Sequence, residues 1–395
     1  MRISIPSIPN TSARPSAEYT LSQASDLLAN FFREGDGKTL IMTGAGVSVD
    51  SGIAPYRGEG GHYTVHKTYR PIFYSEFVDE SCKGHHFRQR CWSRSFLGFK
   101  PVQFAQPNPG HFAIAALQRL GYVPKYITQN VDNLHHAATP SQSIAADSIL
   151  ELHGSLQRIV CVSAPLGHVH GSALRDPDLV RRLSMSHLSE PPKASPRSYN
   201  TPTGETYPRG CGFRGSRSAL QDVLEERNPR WHNFSVEMRA KGTEPKLNPD
   251  GDVDLGNADY SSFHYPACPD CGGVLKPAVI FFGESVPEAL KERSYSLVDD
   301  ASRFMLVGSS LATYSAFRLV KSATEQGKPC MIVNRGPTRA DEIVKDKIEL
   351  GSSETLATVA KILAKGREEK DPVLRRLLSS GIVVAPRSRK GVVSS

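Results

Sequence analysis

The stretch Thr43-Gly44-Ala45-Gly46-Val47-Ser48-Val49-Asp50-Ser51-Gly52-Ile53-Ala54-Pro55-Tyr56-Arg57-Gly58 decides how the rest of the chain is read. It follows Lys38-Thr39-Leu40-Ile41-Met42, a short β-rich apolar run of the buried-strand type. Gly44 and Gly46 then permit a tight turn and close backbone approach. A chain that leaves a strand through such glycines and enters a helix presents free N–H groups to a pyrophosphate. The competing reading is an ordinary strand-to-helix turn, because the third glycine of the dinucleotide fingerprint is not at its usual spacing.

On the N-terminal side, Leu21 to Phe32 places apolar residues at helical spacing and reads as a lead-in helix. On the other side, Gly58-Glu59-Gly60-Gly61 is a flexible segment able to close over a ligand. Tyr69 to Phe99 is aromatic and basic, with Arg88-Gln89-Arg90-Cys91-Trp92, and reads as helices packed outside the sheet. Pro107-Asn108-Pro109-Gly110 turns into a helix over His111 to Leu120. Tyr122 to Thr128 is the next strand, and Ile149 to Gly154 a further short one. From Pro165 to Gly210 the periodicity collapses among Pro191, Pro192, Pro196, Pro202 and Pro208, as expected of an insertion. Order returns with a helix over Ser218 to Arg227. Alternation resumes at Val274 to Phe282, Phe304 to Ser310, a helix from Ala316 and a strand over Pro329 to Asn334.

Strands alternating with helices argue for an α/β fold with a Rossmann-type, doubly wound parallel sheet. The seven cysteines, with Cys161 and Cys211 flanking the irregular stretch, lead us to expect a smaller zinc-ribbon domain inserted into it. The expected division is a discontinuous dinucleotide-binding domain over residues 21–155 and 272–365, and a small domain over 156–271 with a flexible insertion at about 165–210. Residues 1–20 read as a disordered tail or a transit peptide, Ser- and Arg-bearing with no acid before Glu18, and 366–395 as a C-terminal tail.

The 395 residues suffice for one large or two modest cores, with 39% hydrophobic and 22% charged residues. The net charge of +8 suits acidic partners or a basic-lumen compartment. It traces mainly to basic loops and the tail around Arg387 to Lys390. No Lys/Arg stripe suggests direct nucleic-acid binding. No apolar run approaches ~18 residues, so membrane insertion is not expected. Seven cysteines are too few for a disulfide scaffold of this length and suit a metal site in a reducing compartment.

Cys268-Pro269-Asp270-Cys271 is a Cys-x-x-Cys knuckle, the spacing with which two thiolates share one tetrahedral ion. Cys161 follows a strand, but Ala164 stands where its partner would complete a second knuckle, so a metal-free module is the competing reading. Cys211 lies where the insertion ends. Our reading splits the first knuckle: Cys161 and Cys211 are its halves, and the insertion bulges out between them. Four thiolates leave no open coordination position, so the zinc would be structural. Cys82, Cys91 and Cys330 read as small buried hydrophobes.

Together these stretches resemble the sirtuins, NAD-dependent protein-lysine deacylases. The resemblance covers about residues 36–365. It rests on Gly44-Ala45-Gly46-Val47-Ser48, Gly52-Ile53, Tyr56-Arg57, Thr128-Gln129-Asn130-Val131-Asp132, Leu152-His153-Gly154, Lys276-Pro277, Phe282-Gly283-Glu284, Gly308-Ser309-Ser310-Leu311 and Asn334, in that order. Further likeness to the class II, mitochondrial branch lies in Arg70-Pro71-Ile72, Arg88-Gln89-Arg90 with Trp92, Gln106 to Pro109, Pro249 to Val253 and Gly336 to Arg339. Cys211-Gly212 with Asn228-Pro229-Arg230-Trp231 is similar to that branch's second zinc cysteine and its following helix.

The resemblance implies that NAD is consumed as a co-substrate and that acyl-lysine proteins are the partners. The acyl-lysine carbonyl oxygen attacks the ribose C1′ as nicotinamide leaves. His153 then acts as general base on the ribose hydroxyls, a task suited to an imidazole of ordinary pKa ~6.5. Gln129, Asn130 and Asp132 would position the nicotinamide ribose and carboxamide. Gly44, Ala45, Gly46, Tyr56, Arg57, Gly308, Ser309, Ser310, Asn334, Arg335, Gly336 and Ser352 complete the expected cofactor set. Peptide would add as a strand between Phe282-Gly283-Glu284 and Leu311-Ala312-Thr313. The location implied is the mitochondrial matrix, with cytoplasm or nucleus as alternatives.

Two departures stand out. Gly52-Ile53-Ala54-Pro55 replaces the family's Gly-Ile-Pro-Asp, and Tyr63 is followed three residues later by His66 where the branch taking short acidic acyl groups has Arg. Acetyl, succinyl, glutaryl-type and lipoyl groups all stay open. Mono-ADP-ribosyl transfer is the alternative within the fold, and a weakly active NAD-binding regulator with a basic docking insertion is the other. A zinc-ribbon nucleic-acid binder lacks interleaved aromatic and basic residues near the cysteines. A Rossmann dehydrogenase would carry an acidic residue about 20 positions past the glycines, and none stands around Tyr63 to Lys67.

Overall fold

Alternate side chains along the central strands enter two different cores. Ile41, Met305, Val307, Met331 and Val333 point to one face of a sheet, packed with Leu28, Phe32, Ile114, Leu117, Leu356 and Val359. Leu40, Met42, Phe304, Leu306 and Ile332 point to the other, packed with Leu297, Val298, Leu319 and Val320. A strand buried on both faces reads as an unbroken apolar run, which is why Leu40-Ile41-Met42 shows no polar alternation. The computed structural model describes residues 18–58, 61–65, 70–162, 176–184, 198–200, 206–208, 210–243, 247–253, 255 and 258–384.

In chain order the strands are β1 (Thr39–Thr43), β2 (Tyr126–Thr128), β3 (Ile149–Glu151), β4 (Gly154–Cys161), β5 (Ser198–Asn200), β6 (Thr206–Pro208), β7 (Arg214–Ser216), β8 (Leu275–Val279), β9 (Arg303–Val307), β10 (Cys330–Val333) and β11 (Asp346–Ile348). Six form one sheet in the order β11-β10-β9-β1-β2-β3, every pairing parallel. Chain order reverses direction between β1 and β9, and in open α/β sheets ligands bind at the carboxyl ends beside such a reversal. Gly44 and Gly308 follow those two strand ends directly.

The second lobe is built on the antiparallel sheet β7-β4-β8. Tyr74, Phe77, Trp92, Phe96, Leu220, Leu224 and Phe263 fill its core. Here the structure differs from the expected division. The helices Tyr74–Val78 and Cys82–Phe104 bury their aromatic faces in this lobe, not outside the parallel sheet. The run from Val274 supplies β8, which pairs with β4 and leaves the parallel sheet alone. An apolar run carries no record of which sheet it joins, so strand alternation alone assigned it to the larger one.

The insertion also holds order. Asp176 caps the helix Pro177–Leu183, whose Leu179 and Leu183 enter the small-lobe core, and β5 and β6 pair as an antiparallel hairpin. The expected C-terminal tail starts later than residue 366. Asp371 caps the helix Pro372–Ser379, which buries Leu374 and Leu377 in the parallel-sheet lobe. Beyond it Ile382 N–H donates to the Pro107 carbonyl at 3.3 Å and Val384 N–H to the Asp50 carbonyl at 2.8 Å. The expected N-terminal tail lies outside the described residues up to residue 17. Thr20 and Gln23 form a capping box on the first helix, Leu21–Glu34. No helix is long and apolar enough to cross a membrane among the described residues.

Candidate active site

The glycine motif is explained first by the protein itself. Gly44 N–H donates to the Val307 carbonyl at 3.0 Å and Gly46 N–H to the Gly308 carbonyl at 2.8 Å. A Cβ on Gly46 would lie 2.8 Å from Gly308 Cα, and one on Gly44 2.6 Å from Ser309 Cβ. The two loops at the reversal point therefore touch backbone to backbone, which only glycine permits. Gly308 has a positive φ of 61°, which fixes the second loop to the same residue type.

Beneath these loops lies a buried polar floor. Ser48 Oγ–H donates to Asp132 Oδ2 at 2.7 Å, Asn130 Nδ2–H donates to Ser48 Oγ at 3.1 Å, and Leu134 N–H reaches Asp132 Oδ1 at 3.0 Å. Burial pushes the Asp132 carboxyl above its ordinary value, against the hydrogen bonds from Ser48 and Leu134. His135 Nε2 sits 2.9 Å from Thr43 Oγ1, and His111 Nε2 3.4 Å from Ser48 Oγ. Burial lowers both imidazoles, His111 to about 3, so both are neutral props of the floor.

A cleft of about 1930 Å³ opens above it. Ala45, Gly46, Tyr56, Arg57, Gln129, Asn130, His153, Gly308, Ser309, Ser310, Asn334, Arg335, Gly336 and Ser352 all line it, whereas Gly44 and Asp132 lie underneath. Gln129 Nε2–H bridges to Ser309 Oγ at 2.9 Å and to the Thr43 carbonyl at 3.2 Å, tying β1, β2 and β9 at their ends. Asn334 Nδ2–H holds the Arg335 and Gly336 carbonyls at 2.9 and 3.1 Å. The Tyr56 ring stacks on Tyr63 at 5.7 Å between centroids, with the Arg57 guanidinium 5.2 Å over Tyr63. Glu59, Gly60, His66 and Lys67, parts of the expected closing segment and acyl pocket, lie outside the described residues.

His153 is presented between the lobes. Leu152 N–H donates to the Thr128 carbonyl and Ile280 N–H to the His153 carbonyl, each at 2.9 Å. Gly154 follows at φ 83°, where a Cβ would stand 2.0 Å from the Ala278 carbonyl oxygen. The His153 Nε2 lies 2.9 Å from Ser315 Oγ. Burial holds the imidazole at about 4, opposed by a hydrogen bond with the Gln129 backbone that favours the cation. At neutral pH the ring is therefore uncharged and able to accept a proton.

The four cysteines converge as read. The Sγ atoms of Cys161, Cys211, Cys268 and Cys271 all lie within 4.8 Å of one another, with 3.6 Å between Cys161 and Cys271 and 3.7 Å between Cys211 and Cys268. Four sulfurs each ~2.3 Å from a zinc ion stand ~3.8 Å apart at tetrahedral angles, so the donor set fits zinc. Cys268 N–H donates to the Gly273 carbonyl, and Gly272 N–H to the Cys268 carbonyl, both at 2.7 Å, closing the knuckle turn. Of the other cysteines, Cys82 is a correction: it is exposed, because it opens its helix on the solvent side. Cys91 lines the cleft, and its thiol is pushed up to about 12 by burial.

Sequence reasoning missed four participants. Ser48 was visible in the glycine motif but given no role. Asp252, paired with buried Arg94 at 2.8 Å, and Asp250 both line the cleft. Ser315 carried no signal at all.

The model of the Sir2 family matches residues 44–177 and 234–315. The NAD-dependent protein deacylase SIR4 of Batrachochytrium dendrobatidis is 39% identical over 344 residues, covering 86% of this chain and 95% of that protein. NAD-dependent protein deacetylase 1 of Streptomyces coelicolor is 36% identical over 324 residues, covering 82% and 85%. NAD-dependent protein deacylase SRT2 of Arabidopsis thaliana is 34% identical over 333 residues, covering 82% and 73%. Among solved structures, one from work on the mechanism and regulation of Sir2 enzymes superposes with a TM-score of 0.50 at 26% identity, covering 88% of this chain and 99% of that one. A Sir2 homolog–NAD complex gives 0.52 at 20% identity, covering 89% and 97%, a likeness of fold alone.

Proposed function

This chain belongs to the Sir2 family, and on that premise we propose that it removes acyl groups from protein lysines, with NAD as co-substrate, passing the acyl group to ADP-ribose and releasing nicotinamide. The observation that carries this is His153. It is a neutral imidazole in the wall of a dinucleotide-sized cleft, beside Gln129 and Asn130 at the carboxyl ends of the parallel strands. In this reading Gly44 to Gly46 and Gly308 to Ser310 take the pyrophosphate side. Asn334, Arg335, Gly336 and Ser352 take the adenosine side. Tyr56, Arg57, Gln129, Asn130 and, from beneath, Asp132 shape the nicotinamide ribose pocket. Bound NAD supplies a ribose carbon made electrophilic by its nicotinamide leaving group. His153 Nε2 then accepts the proton of a ribose hydroxyl, which its low pKa leaves it free to do. The acyl-lysine segment lies between Phe282-Gly283-Glu284 and Ala312-Thr313, all lining the cleft.

The finer assignment is to the class II branch. It is supported by Arg88, fully buried with its guanidinium on the Phe77 and Asp79 carbonyls at 2.8 and 2.6 Å, and by the turn Pro249 to Val253, held on Arg94. A mitochondrial location follows from that branch. It is checked by imaging the full chain with a C-terminal fluorescent tag against a matrix marker, and diffuse cytoplasmic signal would refute it.

Mass spectrometry tests the activity. Protein and NAD are incubated with acetyl-, succinyl-, glutaryl- and lipoyl-lysine peptides, beside a His153→Ala control. Shortened peptide together with acyl-ADP-ribose, absent in the control, is the expected result. ADP-ribose attached to protein without peptide shortening would replace deacylation by the transferase reading.

A further inference from the structure

The Nε2 of His153 is not bare. It lies 2.9 Å from Ser315 Oγ, and no other hydrogen bond of that hydroxyl appears among the described residues. Ser315 is the second residue of the helix Tyr314–Glu325. The next residue, Ala316, is fully buried, as is Leu319, so the first turn of this helix cannot swing independently of the core. The loop leading to it is equally fixed. Gln129 Nε2–H donates to Ser309 Oγ at 2.9 Å, Leu311 N–H donates to the same oxygen at 3.2 Å, and Leu311 takes a left-handed φ of 53°. Thus Gln129, through Ser309 and the Leu311 turn, supports the segment that carries Ser315.

We propose that Ser315 is a positioning residue for His153, holding the imidazole with Nε2 toward the cleft before the ribose hydroxyl arrives and again after proton transfer. This rests on the reading of His153 as the general base. A hydroxyl suits the task because it is both donor and acceptor. It donates to Nε2 while the ring is neutral and the cleft is empty, and it yields the single Nε2 lone pair when a ribose hydroxyl takes its place there. Once Nε2 has taken a proton from a ribose hydroxyl, the Ser315 hydroxyl rotates and accepts from it. Ser315 itself gains and loses no proton.

The test uses the full chain as wild type, Ser315→Ala, Ser315→Thr and His153→Ala. With the best acyl-lysine peptide, S315A lowers kcat about tenfold, the effect of one oriented hydrogen bond. KM for NAD and peptide stays within about twofold, and S315T recovers most of the rate. In ring-nitrogen NMR without NAD or peptide, with H153A assigning the signal, S315A shifts the Nε2 resonance toward that of an unbonded imidazole nitrogen. Wild-type kcat in S315A, or a loss that S315T does not recover, overturns the proposal. An unmoved Nε2 signal overturns it too. If the wild type shortens no peptide, the deacylase reading fails, and the nitrogen signal alone decides whether Ser315 orients His153.

Discussion

The parallel-sheet lobe and the cysteine lobe both contain apolar cores, but they differ in what else they bury. Among the described residues, the buried cations Arg88, Arg94, Arg217 and Lys276 all sit in the cysteine lobe. Each is matched individually. Arg217 donates to Gln221 Oε1 at 2.9 Å with its guanidinium 4.2 Å over Phe99. Lys276 pairs with Glu284 at 2.9 Å and also reaches the Val279 carbonyl. The parallel-sheet lobe buries instead the neutral imidazoles of His111 and His135, with Asp132, in the floor under the cleft. One lobe is thus specified by area and strand periodicity, the other by point contacts gathered from distant parts of the chain. The active site lies where the two meet, and His153 joins β3 of one to β4 of the other.

That contrast can be broken, or sharpened, at several levels. The largest effect is expected at the cysteines. Structural zinc contributes apparent folding free energy of about 10–16 kcal/mol in small modules. Cys211→Ser should therefore cost the bound zinc, measured by elemental analysis, and the deacylation rate with it. Next comes Asp252→Ala, which removes the carboxylate paired with buried Arg94. Breaking such a pair costs about 3–5 kcal/mol by urea unfolding. In the other lobe Leu356→Met should cost less than ~1.5 kcal/mol, because a volume-conserving swap satisfies a core built on area. Equal losses from the two variants would erase the distinction.

Acid should act on the parallel-sheet lobe. Burial holds His111 at about 3 and His153 at about 4, and His135 well below the ordinary 6.5. The unfolded chain takes up these protons first as pH falls, so stability is full above about 6.5 and declines toward about 4. Asp132, raised by burial, and Asp250, raised to about 7 by burial and then by Asp252, work in the opposite direction over their own ranges, against the three imidazoles. Thermal midpoints measured from pH 7 to 4 should fall, and a flat profile would contradict the neutral floor. The smallest effect is expected from deleting residues 381–395. Val384 lines the cleft and its N–H bonds the Asp50 carbonyl. Losing this backbone bond and the one from Ile382 N–H to the Pro107 carbonyl, at about 1 kcal/mol each, should lower the melting midpoint by a few degrees, and losing Val384 from the cleft wall should weaken NAD binding a few-fold in calorimetry.

These differences also explain what was legible in the sequence. Gly44, Gly46 and Gly308 were readable because a close backbone approach accepts one residue type. The split knuckle was readable because cysteine has few other reasons to recur around an insertion. His153 was readable by its neighbours in sequence. β8 was misplaced because an antiparallel strand buried on both faces looks like a parallel one. The helices Tyr74–Val78 and Cys82–Phe104 were misplaced because aromatic residues do not say which core they fill. Ser315 was invisible, since a serine in the first turn of a helix has no pattern and its partner lies 162 positions away.

Hydrogen exchange followed segment by segment, in the zinc-loaded and chelated protein, each with and without NAD, tests this division most directly. Chelation should strip protection from residues 82–104, 154–161, 211–243 and 258–279 while β1, β9 and β10 stay protected. NAD should slow exchange in the zinc-loaded protein at Gly44 to Ser48 and Gly308 to Leu311. Uniform loss of protection on chelation, or NAD protection elsewhere than in those two loops, would contradict a cleft assembled from two lobes of different construction.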